Sequence, residues 1–294
     1  MNTPTTQTTR MAPDTAVAFV PDEPFFDVPR TTVHTSQGPV QLPILYRQTR
    51  NLNAFFMVDE RRVREVLRHH AGDALVPGCT WGGRALVGLA CYEYQDTSVG
   101  PYNELGLAVA VVPRGVKRGL GHWLQALQDV ERPGHELGFH VLHLPVTTPV
   151  ACAAGREIWG LPKFVTPIRY GRTQRHVEMV LADPNALHPD DHILRLSGRL
   201  GPSMPAPPMS VALYSTVAEQ WQRATVNVRG GVRLHTPGTV RLSVGQCTHP
   251  MVHTLRALGL DGARPLCVTD TDAFQSRLNQ GRGMVLMSAR ASHA

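Results

Sequence analysis

The sequence predicts a mainly β protein of the α+β class, because short strand-like segments far outnumber helical ones. Its 24 prolines and 26 glycines are spread through the 294 residues and divide the chain into short segments, which is typical of β-rich folds. Strand-like runs occur near residues 40–46, 53–58, 85–94, 105–112, 138–144, 164–170, 176–182, 192–199, 209–217, 232–235, 240–244, 265–269 and 283–288. We therefore expect a core built from sheets, with a few flanking helices.

Three segments carry helical signals. Asp59 is placed to cap a helix over the arginine-rich segment that follows it. Residues 119–130 space leucine and tryptophan side chains as a helix does. Residues 248–258 predict a third helix, which Gly259 would end.

The chain is predicted to be one domain preceded by a short arm. Residues 1–20 are rich in threonine and polar side chains, and we predict a disordered N-terminal arm there. The proline-rich stretch 201–208 is flanked by strands of similar composition. It is therefore interpreted as a long loop inside a single domain over residues 21–294.

The sequence also bears on location. The N-terminal residues have no apolar segment of the signal-peptide kind, and the longest apolar run, residues 105–112, is far too short to span a bilayer. The five cysteines are widely spaced and form no CxxC pair, which favours reduced thiols. We expect a cytoplasmic protein without a membrane partner.

The positive charge does not indicate a nucleic-acid partner. A formal net charge of +6 and a pI near 9.4 would fit one. However, the arginines are scattered, and their densest group (residues 61–68) lies on one predicted helix, as a solvated helix face would. No helix-turn-helix, zinc-finger or RNA-recognition signature is present, so we expect no nucleic acid.

Lys163 is unusual in its rarity and in its surroundings. Lysine occurs only at positions 117 and 163, whereas arginine supplies the other 27 of the 29 basic residues. A primary amine can form an imine, which a guanidinium cannot do. Lys163 lies in the apolar run 158–165, and burial there would favour the nucleophilic amine. The alternative is an ordinary lysine whose stem packs on Trp159 and whose amine reaches water.

Glu104 is a candidate acid/base group. It follows Gly100-Pro101-Tyr102-Asn103 at the start of the apolar run 105–112, and the segment Tyr92-Glu93-Tyr94 lies a little upstream. Carboxylates at strand starts can transfer protons. The alternative is a residue at the rim that satisfies turn amides.

Other site chemistries are weaker. The pairs His249/His253 and His188/His192 have spacings that occur in metal sites. Neither comes with the glutamate of an HExxH motif or with paired cysteines. No P-loop and no GxGxxG motif after a strand is present. We expect neither a metal nor another cofactor.

Several motifs together resemble the acetoacetate decarboxylase family, over about residues 40–290. They are Gly155-Arg156-Glu157-x4-Pro162-Lys163, the Gly-x-Tyr-x-Glu of residues 100–104, Tyr46 and Arg50 followed by Val58-Asp59, and Leu-Gly-Leu at residues 258–260. The first is the most specific. The resemblance implies the family's fold, an antiparallel β-barrel or cone with a few flanking helices that builds symmetric homo-oligomers.

The resemblance also implies a lyase that forms a Schiff base with a small oxo acid and needs no cofactor. Lys163 matches the imine-forming lysine, and Glu104 matches the essential carboxylate after the tyrosine. Arg50 matches the arginine that faces the substrate carboxylate, with Arg47 as the alternative, and Glu93 matches an upstream carboxylate. The remaining expected substrate contacts are Tyr102, Trp159 and Phe164.

Phe164 is a departure from the family pattern. Decarboxylases of the family carry a second lysine at this position, whose charge helps to activate the first. Here desolvation, or a nearby arginine, would have to do so. Decarboxylation of a β-keto acid and aldol or dehydration chemistry on a pyruvate-like acid therefore both stay open. A non-catalytic small-molecule-binding or assembly protein on the same fold is the alternative.

Overall fold

The computed structural model describes residues 24–286 except 118, 120, 187, 189 and 190, so the predicted arm over residues 1–20 lies outside the described residues. The helices are α1 (Glu60–Ala71), α2 (Gly121–Gln125), α3 (Pro149–Trp159) and α4 (Pro250–Ala257). The strands are β1 (Thr31–Thr35), β2 (Gly38–Leu42), β3 (Ile44–Asp59), β4 (Leu75–Pro77), β5 (Thr80–Trp81), β6 (Arg84–Thr97), β7 (Tyr102–Pro113), β8 (Gly138–Val146), β9 (Lys163–Val165), β10 (Ile168–Thr173), β11 (His176–Ala182), β12 (His192–Arg199), β13 (Ser203–Ala206), β14 (Val211–Val217), β15 (Gln220–Arg229), β16 (Val232–His235), β17 (Arg241–Val244), β18 (Cys267–Leu278) and β19 (Arg282–Gly283). The mainly β prediction is confirmed.

The largest sheet closes into a barrel. Its strands follow the order β18, β3, β6, β7, β8, β14 and β15, and β15 pairs again with β18. The expectation of a purely antiparallel barrel is wrong, because β14 runs parallel to β8. A hairpin forces its two strands to be antiparallel, but β8 and β14 are separated by the whole segment that forms β9 to β13. The barrel is therefore mixed.

The barrel wall has an outer and an inner face. Residues paired across antiparallel strands point to the same side, and neighbours along a strand alternate. Leu52, Cys91 and Leu105 pair in register and are buried in the main core cluster. A second sheet, formed by β10, β11, β12 and β17, contributes apolar side chains to this cluster, as do α1 and α4. This face is the outer one. The residues next to Leu52, Cys91 and Leu105 along their own strands point into the lumen.

Helix α1, the first of the predicted helices, covers part of the outer face. It begins after Asp59, whose carboxylate accepts the backbone N–H groups of Arg61 and Arg62. Val63 and Leu67 point from it into the core. The predicted cap is confirmed.

Other predicted elements differ from the structure. The helix expected over residues 119–130 is only α2, because Leu124 and Leu127 are 63% and 67% exposed and have no core to pack against. The expected loop over residues 201–208 contains β13, which pairs with β16. Helix α3 has no counterpart among the predicted helices. In the described part of the chain, no helix has the length and apolarity needed to cross a membrane.

Candidate functional site

Lys163 and Glu104 form a buried ion pair inside the barrel wall. Nζ of Lys163 donates to Oε2 of Glu104 over 2.6 Å, and the two side chains are only 5% and 9% exposed. Lys163 begins β9, which lies beside β8, whereas Glu104 lies near the start of β7. The fold thus joins two groups that are 59 residues apart in the chain. Burying either charge without the other would be costly.

Helix α3 and the turn after it position Lys163. The helix begins at Pro149, and the hydroxyl of the preceding Thr148 accepts a first-turn N–H. It ends at Gly160, which has a left-handed φ of +60°. A side chain at Gly160 would collide with the carbonyl oxygen of Thr216. Glycine at this position lets the chain turn sharply into β9.

Tyrosine side chains enclose the ion pair. The Tyr94 hydroxyl donates to Oε1 of Glu104 over 3.3 Å. The hydroxyls of Tyr46 and Tyr102 lie 3.2 Å apart, and Nζ of Lys163 is 5.6 Å from the centre of the Tyr102 ring. Both oxygens of the Glu104 carboxylate therefore accept a hydrogen bond, one from the amine and one from a phenol.

The phenols of this cluster are neutral groups. Burial, followed by the nearby charge of Glu104, raises the pKa of Tyr46, Tyr92, Tyr94 and Tyr102 above the usual tyrosine value. They therefore keep their protons at neutral pH and can donate hydrogen bonds.

The side chain of Tyr92 lies on the inner face of the barrel, next to Glu104. It pairs in register with Glu104 on one side and with Asn51 on the other, and its ring stacks on Tyr94 with centroids 5.1 Å apart. Within the described residues its hydroxyl makes no hydrogen bond, and the side chain is half-buried. This phenol is available to a ligand.

Arg50 and Glu93 are not brought to Lys163. They pair with each other across β3 and β6, with Nη1 3.3 Å from Oε2, and are 49% and 30% exposed. Each is the direct neighbour of an inward-facing residue, so each points to the outer face of the barrel wall. The alternative, Arg47, lies 3.6 Å from a different carboxylate, that of Asp96.

Of the three remaining predicted substrate contacts, only the Tyr102 side chain lies next to that of Lys163, as described. Phe164 follows Lys163 in β9 and points to the opposite side, where its ring centroid is 4.6 Å from that of His249. Trp159 is 1% exposed, and its Nε1 donates to the backbone oxygen of Asn279 over 3.0 Å. Trp159 is therefore a packing residue at the end of α3.

The predictions from sequence did not include the roles of Tyr46, Tyr92 and Tyr94. A signal for two of them was present, because Tyr92 and Tyr94 flank Glu93 at the two-residue period of a strand. If either tyrosine faces inward, Glu93 must face outward. The sequence does not contain the register that decides between the two faces.

No metal site is formed by the described residues. Among them, no group of three or more His, Cys, Asp or Glu side chains is arranged to hold an ion.

A model of the acetoacetate decarboxylase family matches residues 27–216, and a search of curated proteins finds no match. Among solved structures, an acetoacetate decarboxylase is 16% identical with a TM-score of 0.56, over 83% of this chain and 90% of that chain. Acetoacetate decarboxylase from Legionella pneumophila is 15% identical with a TM-score of 0.58, over 88% and 92%. The enduracididine biosynthesis enzyme MppR, solved with pyruvate, is 13% identical with a TM-score of 0.56, over 82% and 90%. These similarities to solved structures establish a shared fold.

Proposed function

Because the chain belongs to the acetoacetate decarboxylase family, we propose that it is a lyase that forms an imine between Lys163 and the carbonyl group of a small oxo acid. The observation that carries the proposal is the buried contact of 2.6 Å between Nζ of Lys163 and Oε2 of Glu104. An isolated surface lysine has no such neighbour and no shelter from water.

Glu104 is placed to move the protons that imine formation requires. The carboxylate takes one proton from the Lys163 ammonium, and the neutral amine attacks the substrate carbonyl carbon to give a carbinolamine. The carbinolamine hydroxyl then leaves as water with the proton that Glu104 returns. The products are a protonated imine, one water and the Glu104 carboxylate, so atoms and charge balance.

The protonated imine can then react in two ways. In a β-keto acid the bond to the carboxylate breaks, its electron pair moves into the imine, and carbon dioxide and an enamine result. In a pyruvate-like acid the Glu104 carboxylate takes an α-proton from the imine, and the resulting enamine attacks an aldehyde, whose oxygen then takes up that proton. The same lysine and carboxylate serve both routes, so substrate recognition has to choose between them.

Tyr92 is the group best placed to recognise the substrate carboxylate or carbonyl oxygen. Its neutral hydroxyl faces the lumen beside Glu104 and has no hydrogen bond within the described residues. The register row of Glu104 contains Val146, Tyr92, Asn51 and Thr271. Arg50, which the family resemblance nominates for this role, points to the outer face.

The proposal extends to a cytoplasmic enzyme that works as a homo-oligomer without a cofactor. The homo-oligomer rests on the family resemblance, and the cytoplasmic location rests on the widely spaced cysteines without a CxxC pair. The expectation of no cofactor rests on the resemblance and on the missing P-loop and GxGxxG motifs. Size-exclusion chromatography with light scattering would test the homo-oligomer directly.

Borohydride trapping tests the imine. The protein is incubated with pyruvate or acetoacetate, reduced, and mapped by mass spectrometry for an adduct on Lys163. Lys163→Met should give no adduct. Lys117→Met is the matched control, because it removes the other lysine of the chain, which is exposed, and should leave the adduct unchanged.

The result also separates the candidate activities. Release of carbon dioxide from acetoacetate indicates a decarboxylase, and an adduct without it indicates aldol or dehydration chemistry. If Lys163 stays unmodified with every oxo acid of a broad panel, the lyase proposal fails. The non-catalytic binding protein would then be the better description.

A further inference from the structure

On the premise of the imine proposed above, we infer that Asn53 and Thr269 form a second subsite in the barrel lumen, which selects oxo acids with a hydroxyl group at their far end. The subsite is separate from Lys163, Glu104 and the tyrosines. It concerns the part of the substrate that does not react.

Asn51 and Asn53 form a reciprocal amide pair. Nδ2 of Asn51 donates to Oδ1 of Asn53 over 3.1 Å, and Nδ2 of Asn53 donates to Oδ1 of Asn51 over 2.7 Å. Nδ2 of Asn51 also donates to the backbone oxygen of Cys91 over 3.1 Å. Because a carbonyl oxygen only accepts hydrogen bonds, this last contact fixes which end of the Asn51 amide is the NH2 group. The orientation of Asn53 follows from that of Asn51.

The amide pair and Thr269 leave one hydrogen-bond acceptor and one donor unused among the described residues. Nδ2 of Asn53 uses its second N–H on Oγ1 of Thr269, 3.1 Å away. Both N–H groups of Asn53 are therefore occupied, whereas its Oδ1 accepts one bond among the described residues and has a second lone pair. The Thr269 hydroxyl accepts from Asn53 and still has its own hydrogen to donate. Together they offer one acceptor and one donor.

A hydroxyl group is the ligand that matches this arrangement. It donates to Oδ1 of Asn53 and accepts from the hydroxyl of Thr269. A carboxylate would place a second acceptor against the Asn53 oxygen, and a methyl group would satisfy neither position. The subsite therefore favours an alcohol or phenol over charged or apolar groups.

The subsite faces the same lumen as the reactive lysine. Asn53 pairs in register with Ala90 on β6 and with Thr269 on β18, and all three are half-buried. The neighbours of Asn53 along β3, Leu52 and Ala54, face outward and are 1% and 0% exposed. Protein atoms thus cover the inner face only partly at these residues, whereas they cover the outer face completely.

The separation suits a substrate of several carbons. Asn51 and Glu104 belong to one register row, two strand spacings apart, which is about 10 Å across the wall. A substrate bound to Lys163 would extend past Tyr92 towards Asn53. Only its far end would reach the amide oxygen.

The test compares oxo acids that differ by a hydroxyl and a methyl group of similar size. One pair is 4-hydroxy-2-oxobutanoate and 2-oxopentanoate, and a longer pair is 4-(4-hydroxyphenyl)-2-oxobutanoate and its 4-methylphenyl analogue. The readout is the initial rate of total borohydride-trapped adduct on Lys163 at low substrate concentration. For at least one pair, the wild-type protein should favour the hydroxyl compound by about 3- to 10-fold, the gain of a typical hydrogen bond.

Asn53→Leu should remove this preference, measured as the ratio of the two adduct rates within each pair. The matched control is Asn227→Leu, which breaks a different amide contact of the barrel, from Nδ2 of Asn279 over 2.6 Å. Asn227 alternates in β15 with Val226, which packs with the inward tyrosine cluster, so it points away from the lumen. The control should keep the preference.

The outcomes separate the subsite from the imine. Adducts that form at equal rates within both pairs would overturn the subsite and leave the lyase proposal intact, as would a preference that survives Asn53→Leu. No adduct with any compound would overturn the lyase proposal itself. If Asn53→Leu does not fold, the wild-type protein is tested with 4-methoxy-2-oxobutanoate, which accepts but cannot donate. A preference for it over 2-oxohexanoate equal to that for the hydroxyl compound would also overturn the subsite.

Discussion

Gly155 of helix α3 provides the space in which the stem of Lys163 lies. A β-carbon at position 155 would overlap both Cδ and Cε of Lys163 and come within 3.1 Å of its Cγ. The glycine is fully inside the helix, so its backbone conformation is one that any residue can adopt. Glycine is therefore required at this position because a larger side chain would occupy the space of the Lys163 stem. This contact explains why the Gly-Arg-Glu and Pro-Lys parts of the motif occur together.

Gly155→Ala is expected to displace the Lys163 amine from Glu104. A misplacement of about 1 Å at a reacting group can cost about 100-fold in rate, and the overpacking costs about 1–3 kcal/mol of stability. The measurement is the rate of borohydride-trapped adduct with pyruvate, together with the melting temperature. Gly231→Ala is the matched control, because a β-carbon there meets nothing within 4 Å. Equal adduct rates in Gly155→Ala and the wild type would contradict this account of the stem.

Glu104→Gln keeps the size of the side chain but removes the proton acceptor. The Lys163 amine would keep a hydrogen-bond partner but lose its counter-charge, so the free energy of unfolding should fall, and adduct formation should fall by about 10²- to 10⁴-fold. Glu65→Gln, which removes an exposed carboxylate of α1, is the control and should change nothing. An adduct rate within a few-fold of the wild type would show that another group or water moves the proton.

The sequence predicted features that depend on residues close together in the chain, but it did not predict which strands pair with each other. The cap of α1 at Asp59 was predicted correctly, because capping depends on residues two and three positions away. Helix α3 was missed although Thr148 and Gly160 mark both of its ends, because its many alanines show little polar-apolar contrast. The parallel contact of β14 with β8 joins residues 74 positions apart at its one register pair, Leu213 and Phe139. No local pattern specifies such a contact.

The same limit applies to the site. Motif similarity selected Lys163 and Glu104, and the structure brings them together. It also selected Glu93, which the register puts on the other side of the wall. Because side chains alternate along a strand, an error of one residue moves a group from the lumen to the outer face. The sequence gives the candidates, and only the register shows which of them meet.

Phe164→Lys is expected to leave the pH dependence of adduct formation unchanged. Resemblance to the decarboxylases suggests that a lysine here would help to activate Lys163. However, position 164 faces away from Lys163 and towards His249, so the new amine would lie on the other side of β9. The control is Phe164→Leu, which also removes the aromatic contact but adds no charge. If the pH profile of adduct formation moves to lower pH in Phe164→Lys but not in Phe164→Leu, the added charge acts on Lys163, and position 164 does not face away from it.

Two buried histidines on β8 are expected to make stability depend on pH. Burial, with a smaller contribution from His70, lowers the pKa of His140 to about 4 and that of His143 to about 3. Nδ1 of His140 donates to the backbone oxygen of Tyr214 over 2.9 Å, since a carbonyl can only accept. Both rings are therefore neutral in the folded protein at pH 7.

The free energy of unfolding should fall as the pH drops below about 6.5, the ordinary histidine pKa. Between that value and the lowered folded-state pKa values, the unfolded chain binds protons that the folded chain does not. Each histidine then costs about 1.4 kcal/mol per pH unit. Urea unfolding at pH 7.5 and pH 5 should show a smaller loss for His143→Gln than for the wild type. His176→Gln, at an exposed position of β11, should lose as much as the wild type. An equal loss in all three proteins would mean that His143 is protonated in the folded state or titrates alike in both states, and that its burial contributes nothing to the acid sensitivity.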